Sequence, residues 1–203
     1  VAEHLNGARN HLDVACGPGT FIGNYCEGVT SVGIDLSQRQ VAYANKTYTS
    51  AQHEFIAGEL QSLPSNYVDF DILTPTDLTE HLPLHETPTL IKNIPPRLRP
   101  GGRLILTTPN SAGAWPFLEK AVNRFGEVGY DHQHIVRFTP RRLTDLLRAA
   151  GYTSITVRPF LNSAPFLGQA SWALASKVEM MERRTLERLG IGFLLLASAT
   201  RGN

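Results

Sequence analysis

The feature that most constrains this chain is an alternation. Short apolar runs of strand length recur between longer stretches of helical or polar character. The runs lie at 11–16 (HLDVAC), 31–36 (SVGIDL), 53–58 (HEFIAG), 70–75 (FDILTP), 102–108 (GRLILTT), 154–160 (SITVRPF) and 192–199 (GFLLLASA). Seven strands separated by helical segments predict an α/β protein with a mostly parallel sheet, because parallel neighbours need crossover connections that helices supply.

The helices between the runs carry their own signals. From Ser37 to about Ser50 the chain has a polar entry and apolar spacing, with Ser37 as N-cap. Thr139 and Pro140 open another, in which Leu143, Leu146, Leu147 and Ala150 form one apolar stripe ended by Gly151. The run Arg97-Leu98-Arg99-Pro100-Gly101-Gly102 reads as a tight turn before the fifth strand.

Length and composition then narrow the class. With 203 residues, 1–203 is expected to form a single domain. The 42% hydrophobic content supplies a real core, and 17 Gly and 13 Pro exclude collagen-like and low-complexity chains. Nineteen basic against eighteen acidic residues leave a formal charge of +1, so no electrostatic surface for nucleic acid is advertised and none is expected as a partner. Two cysteines, Cys16 and Cys26, cannot make a disulfide framework or a four-cysteine zinc site. No long apolar run or signal-peptide pattern is present, so membrane insertion is not expected and a reducing, cytoplasmic location is. The chain opens at Val1 rather than Met, which leaves its natural beginning open, and self-association is not readable.

Two segments, 110–136 and 162–189, are longer than ordinary connections and are read as substrate covers, because ligands in open α/β sheets bind beyond the carboxyl ends of the strands. The second, with Phe166, Leu167, Trp172, Leu174, Val178, Met180 and Met181, is expected to be an amphipathic helix packed on the sheet or another subunit rather than on a membrane.

The chemistry centres on Asp13-Val14-Ala15-Cys16-Gly17-Pro18-Gly19-Thr20, which begins in a strand and ends in a glycine turn where backbone can approach a ligand closely. A nicotinamide fingerprint requires a third glycine three residues after the second. Position 22 is Ile and Gly23 arrives one residue late, so that match fails. Asp35 ends the second strand, where a carboxylate can accept both hydroxyls of a ribose. Glu59 follows the third strand at the same sheet edge, placed to accept from an adenine amino group.

With these residues in view, the chain resembles the class I S-adenosylmethionine-dependent methyltransferases. DVACGPGTF resembles the family's glycine-rich first motif, VGIDLS its acidic second-strand end, FDILTPTDLTEHL its fourth-strand motif and LRPGGRLILTTPN its fifth-strand motif. HIVRFTPRRLTDLLRAAGY is similar to the segment after the fifth strand in small-molecule members. The resemblance implies a Rossmann-like, doubly wound sheet of seven strands with an antiparallel final hairpin. It also implies S-adenosylmethionine as cofactor, leaving as S-adenosylhomocysteine. Asp13, Ala15, Cys16, Gly17 and Gly19 would then surround the methionine part, Asp35 and Leu36 the ribose side, Glu59 and Leu60 the adenine, and Thr76 and Asp77 the sulfonium. Ala15 departs from the family, which usually has Gly there, and Pro75 is expected to bend the chain before Thr76.

Methyl transfer from a sulfonium is an in-line displacement that asks the protein mainly for alignment and a suitable field. For a hydroxyl acceptor a general base helps, and His is the natural choice. The candidates are His134, His132 and His81, with His134 ranked first. His81, His85, His132 and His134 offer imidazoles for a metal, but Pro83 interrupts the helical spacing of the first pair, and no metal is expected. Trp115, Phe117, Phe125 and Tyr130 could line an acceptor pocket or anchor the loop, and Arg137, Arg141 and Arg142 read first as a solvated helix face. The expected activity is methylation of a small-molecule acceptor at oxygen. The alternatives are methylation at nitrogen or carbon, and a cofactor-binding protein without catalysis.

Overall fold

The computed structural model describes residues 1–83, 85–113, 115–125, 135–161, 171–186, 189 and 191–202. After a 3-10 turn at Ala2–Leu5, the chain runs β1 (Asn10–Val14), α1 (Thr20–Tyr25), β2 (Thr30–Asp35), α2 (Gln38–Tyr48), β3 (His53–Ala57) and β4 (Phe70–Pro75). It continues through α3 (Thr87–Asn93), β5 (Leu98–Pro109), α4 (Trp115–Phe125), α5 (Pro140–Ala149), β6 (Tyr152–Phe160), α6 (Trp172–Arg184) and β7 (Leu194–Arg201). Each of the seven apolar runs forms a strand.

The strands make one sheet in the order β3-β2-β1-β4-β5-β7-β6. The pairs β1 with β2, β1 with β4, β2 with β3 and β4 with β5 are parallel, whereas β7 is antiparallel to both β5 and β6. The chain builds outward from β1 to β3 and then returns to the other side of β1 as β4. A crevice therefore opens beyond the carboxyl ends of the strands at this switch point.

Strand alternation sends neighbouring residues to opposite faces. Leu104 and Leu106 join Leu12, Leu73, Leu143 and Leu147 in one buried cluster, while Ile105 joins Ile22, Val41, Ala44, Phe55 and Ile72 in the other. Helices thus cover both faces, as a doubly wound sheet requires. In α5, Thr139 accepts from the Arg142 amide at 3.3 Å, Leu143 and Leu147 are fully buried, and Leu146 and Ala150 pack at the margin. In α2, the Ser37 side chain accepts from the Gln40 amide as the capping signal requires. The late Gly23 has a packing reason. A Cβ there would lie 2.1 Å from the Tyr48 ring, so its absence lets α1 seat on α2.

One local expectation is corrected. The Arg-Pro-Gly-Gly run is not a turn ahead of β5 but lies inside it. Phe70 pairs with Leu98 and Ile72 with Arg103, so four residues stand opposite one, and Gly101 supplies a φ of 73° within this bulge. Pro75 is the last residue of β4 and pairs with Val14, and Thr76 beyond it keeps an isolated parallel bridge to Thr107, so the chain is not bent before Thr76 as the sequence suggested.

The segment 110–136 contributes α4, and its start is tied down by Asn110, whose amide and side chain donate to the carbonyls of Phe193 and Gly192. In α6, Ala175 is buried, but Leu174, Met180 and Met181 are exposed, so much of the apolar side of this helix faces outward. Phe166, Leu167, Tyr130, His132 and His134 lie outside the described residues, as do the side chains of Phe125 and Trp172. Among the described residues no helix is long and apolar enough to cross a membrane.

Candidate functional site

A cavity of about 440 Å³ opens where the carboxyl ends of β1, β2 and β3 meet the segment after β4. Val14 and Ala15 come from β1 and its turn, Ile34, Asp35 and Leu36 from the end of β2, and Gly58, Glu59, Leu60 and Gln61 from the end of β3. Leu78, Leu82, His85, Glu86, Thr89 and Leu90 form the opposite wall. The hollow is therefore mainly apolar with carboxylates at its rim, and its size falls in the range of small-molecule sites.

The glycine turn is shaped by left-handed backbone. Ala15 has φ 61°, Gly17 55° and Gly19 75°. The Gly17 amide donates to Asp35 Oδ2 at 2.9 Å and the Ser37 amide to Asp35 Oδ1 at 2.8 Å, so one carboxylate joins the turn to the start of α2. Each carboxylate oxygen retains a second lone pair, so Asp35 is still able to accept from a ligand. A Cβ on Gly19 would lie 2.6 Å from the Phe55 ring and 2.8 Å from Ala44 Cβ. Cys16 is buried, and a Cβ on Gly33 would lie 2.8 Å from its sulfur. Burial, aided by the charges of Asp13 and Asp35, pushes the Cys16 thiol up to about 12, so it packs as a small hydrophobe rather than acting as a nucleophile.

Asp13 does not line the cavity. It is buried beneath the turn, where its Oδ1 accepts from Thr74 Oγ1 at 2.6 Å, and Thr74 in turn lies 2.8 Å from His11 Nε2. Loss of solvation raises the Asp13 carboxyl to about 7 despite the Thr74 bond, and the same cause lowers the His11 imidazole to about 3.

Thr76 and Asp77 lie past the end of β4, outside the lining of the hollow. Asp77 has φ 49° and is held by Thr107, whose hydroxyl donates to Asp77 Oδ1 at 2.9 Å and whose carbonyl accepts from the Asp77 amide at 3.1 Å. His81 is exposed on a 3-10 turn, Thr79–His81. Its neighbour Glu80 is buried, and its Oε2 accepts from Thr108 Oγ1 at 3.0 Å. Burial pushes the Glu80 carboxyl up to about 7, and the charge of Asp77 adds to the effect. The Glu80 carbonyl also accepts from the amides of Ile135 and Val136 at 2.8 and 3.2 Å, which pins the chain that follows His134 to the 3-10 turn after β4.

Of the residues expected from the sequence, the structure gathers Ala15, Asp35, Leu36, Glu59 and Leu60 around one cavity and ties Gly17 to its rim. Asp13, Cys16 and Gly19 lie behind it. Sequence reasoning missed the wall formed by Leu78, Leu82, Glu86, Thr89 and Leu90, and considered His85 only as a metal ligand. The signal was present in Pro88 at the start of a helix with Leu90 and Ile91 buried. Among the described residues no group of three or more His, Cys, Asp or Glu could hold a metal ion. His81 and His85 do not share a helical turn, since α3 begins only at Thr87. Phe117 is exposed on α4, and Arg142 donates to the Arg137 carbonyl while its guanidinium lies 5.8 Å from the Phe138 ring, so this basic group is engaged locally.

This sheet order, with β7 antiparallel beside β5 and a cavity at the switch point, defines the Rossmann-like fold of the class I S-adenosylmethionine-dependent methyltransferases. The chain belongs to the methyltransferase-domain family, whose model matches residues 1–157. It is similar to a ubiquinone biosynthesis O-methyltransferase of Coxiella burnetii, 30% identical over 106 residues, a match that covers 50% of this chain and 44% of that protein. The chain thus spans less than half the length of the curated relative. A SAM-dependent methyltransferase from Archaeoglobus fulgidus superposes with a TM-score of 0.68 at 16% identity, covering 98% of this chain and 92% of the other. The 1,6-didemethyltoxoflavin-N1-methyltransferase of Burkholderia thailandensis, solved with bound 1,6-didemethyltoxoflavin and S-adenosylhomocysteine, gives a TM-score of 0.66 at 19% identity and covers 99% of this chain and 74% of the other.

Proposed function

We propose that this chain is a methyltransferase that uses S-adenosylmethionine to methylate a small molecule at oxygen. The observation that carries the reading is the meeting of Asp35, Glu59 and the Ala15 turn around one hollow. Two acceptor-only side chains set in apolar walls suit a nucleoside, whose hydroxyls and amino group are donors and whose base is flat and apolar.

In this reading the remaining lone pairs of Asp35 accept from the ribose hydroxyls. Glu59 accepts from the adenine amino group, and Leu36 and Leu60 cover the rings. The turn from Ala15 through Gly17 to Gly19 faces the methionine part, with Asp13 and Cys16 supporting it from beneath, and Thr76 and Asp77 stand on the sulfonium side. S-adenosylmethionine, when bound, supplies a methyl group on a sulfonium and leaves as S-adenosylhomocysteine. The chain's own work is to orient, to exclude water and to take a proton from the acceptor. His81 is the described residue assigned to that proton, and His132 and His134 are the other candidates. The ubiquinone O-methyltransferase relative supports oxygen as the acceptor atom.

The test is a product-mass assay with isotopically labelled methyl donor and matched panels of small phenols and amines. Labelled phenol ethers are expected. Labelled amines alone would overturn the assignment to oxygen, and cofactor binding without turnover across both panels would favour a non-catalytic role.

A further inference from the structure

Beneath the glycine turn, a line of polar groups crosses three strands away from the cavity. Asp13 Oδ1 lies 2.6 Å from Thr74 Oγ1, which lies 2.8 Å from His11 Nε2. The other ring nitrogen, Nδ1, lies 3.3 Å from Ser31 Oγ, which is 3.2 Å from the Val29 carbonyl. All four side chains are buried, so water cannot substitute for a missing donor.

The protons in this line can be counted. A hydroxyl has one proton to give, and a neutral imidazole has one N–H. With Asp13 ionised, Thr74 gives its proton to the carboxylate. Its oxygen must then receive from His11 Nε2–H, which leaves Nδ1 to accept from Ser31. With Asp13 protonated, the carboxyl O–H donates to Thr74, and Thr74 donates to Nε2. The ring proton then sits on Nδ1 and donates to Ser31, whose own proton reaches the Val29 carbonyl. The second state holds one more proton than the first and satisfies the Val29 carbonyl as well.

We propose that His11 and Asp13 form a proton-counting switch, in which net uptake of one proton by Asp13 moves the His11 ring proton from Nε2 to Nδ1 while the imidazole stays neutral.

The surroundings fit that behaviour. The titratable groups acting on the pair, among the described residues, are His53 from β3, Cys26 after α1, and Cys16 and Asp35 on the Asp13 side. Burial and then His53 oppose a charged His11, which keeps the ring neutral well into acid. Cys26 Sγ lies 3.7 Å from Nδ1, and its thiol is pushed up to about 11 by burial, so it adds no charge. Phe21 closes the remaining side with a ring centroid 5.8 Å from that of His11. Burial holds the Asp13 carboxyl at about 7, which places the switch near neutrality. If the turn holds a cationic methionine part, which rests on the function proposed above, binding favours the carboxylate and its Nε2–H tautomer.

The test is long-range proton–nitrogen NMR of the His11 ring in ligand-free protein, followed from about pH 5 to about pH 9. The two ring nitrogens are expected to exchange pyrrole-like and pyridine-like shifts near the titration of the Asp13 carboxyl, with no imidazolium formed. Asp13→Asn abolishes the pH dependence, and Thr74→Val breaks the link so that the tautomer no longer follows pH. A single tautomer throughout, an imidazolium at mildly acid pH, or a switch that survives either substitution overturns the proposal. Addition of S-adenosylmethionine, whose sulfonium carries the positive charge, is expected to move the midpoint to lower pH. A persisting switch with an unmoved midpoint places the failure in the cofactor reading instead.

Discussion

Asp35 accepts the Gly17 amide at 2.9 Å, and through this bond the acid that ends β2 fixes the rim of the turn that follows β1. The same carboxylate takes the Ser37 amide, so turn, strand end and the cap of α2 move as one piece. A ligand that reaches Asp35 therefore meets an acceptor already held in place, which lowers the ordering cost of binding.

Gly19→Ala is expected to destabilise the protein by about 2–4 kcal/mol. The left-handed φ of 75° costs an L-residue about 1–2 kcal/mol, and the new Cβ must displace the Phe55 ring from 2.6 Å. Thermal unfolding checks this, with a drop in Tm of roughly 5–15 °C for a chain of this size.

Ala15→Gly tests the departure from the family's usual glycine. Ala15 pays for its φ of 61°, and glycine would relieve about 1–2 kcal/mol of backbone strain while returning about 0.4–1 kcal/mol through a more flexible unfolded chain. Denaturant unfolding should show a change between zero and a gain of about 1.6 kcal/mol; a clear loss would mean that the methyl group makes packing that the backbone argument omits.

Stability should fall as pH rises from about 5 to about 6. Asp13 and Glu80, both near 7 in the fold, keep protons that their unfolded counterparts have released, whereas His11, near 3, lacks one that its unfolded counterpart holds. The fold thus carries a net excess of one proton in this window, worth about 1.4 kcal/mol per pH unit as an upper bound. The imidazole of His4, lowered by burial and by the charges of the N-terminus, Arg103 and Arg158, acts in the opposite sense between its lowered value and its ordinary one. Chemical unfolding at several pH values measures the slope, and Asp13→Asn should flatten it; a wild-type slope of opposite sign contradicts the assignment.

The fold was legible because period, caps and glycine turns act locally. Seven apolar runs became seven strands, and Ser37 and Thr139 capped the helices they were expected to cap. The Arg-Pro-Gly-Gly run misled because a bulge and a turn share the same chemistry, and only the partner strand β4 decides between them. At the site, Asp35 and Glu59 could be placed because each ends a strand, and strand ends are fixed by the sheet. The wall from Leu78 to Leu90 could not, since which side chains of a connecting segment face a hollow depends on tertiary packing. The buried line from Asp13 to Ser31 was equally hidden. His11, Ser31 and Thr74 stand on three strands, and only the register that pairs Asp13 with Thr74 and His11 with Ser31 brings them together.

His81→Gln probes the proton acceptor assigned in the described residues. With His81 as the general base, turnover falls by about 10²- to 10⁴-fold with little change in cofactor affinity, as expected for a group acting on the acceptor alone. Steady-state kinetics at saturating donor checks this, and unchanged turnover shifts the role to His134 or His132.

The most direct measurement is calorimetric titration of S-adenosylmethionine into the wild-type chain and into Asp35→Ala, with circular dichroism to verify that the variant stays folded. Binding at one site is predicted for the wild type, weakened by about 10- to 1000-fold in the variant, since hydrogen bonds to a charged group contribute about 1.5–3 kcal/mol each and this carboxylate is partly exposed. Equal affinity in the two proteins, or no heat of binding in either, would contradict it.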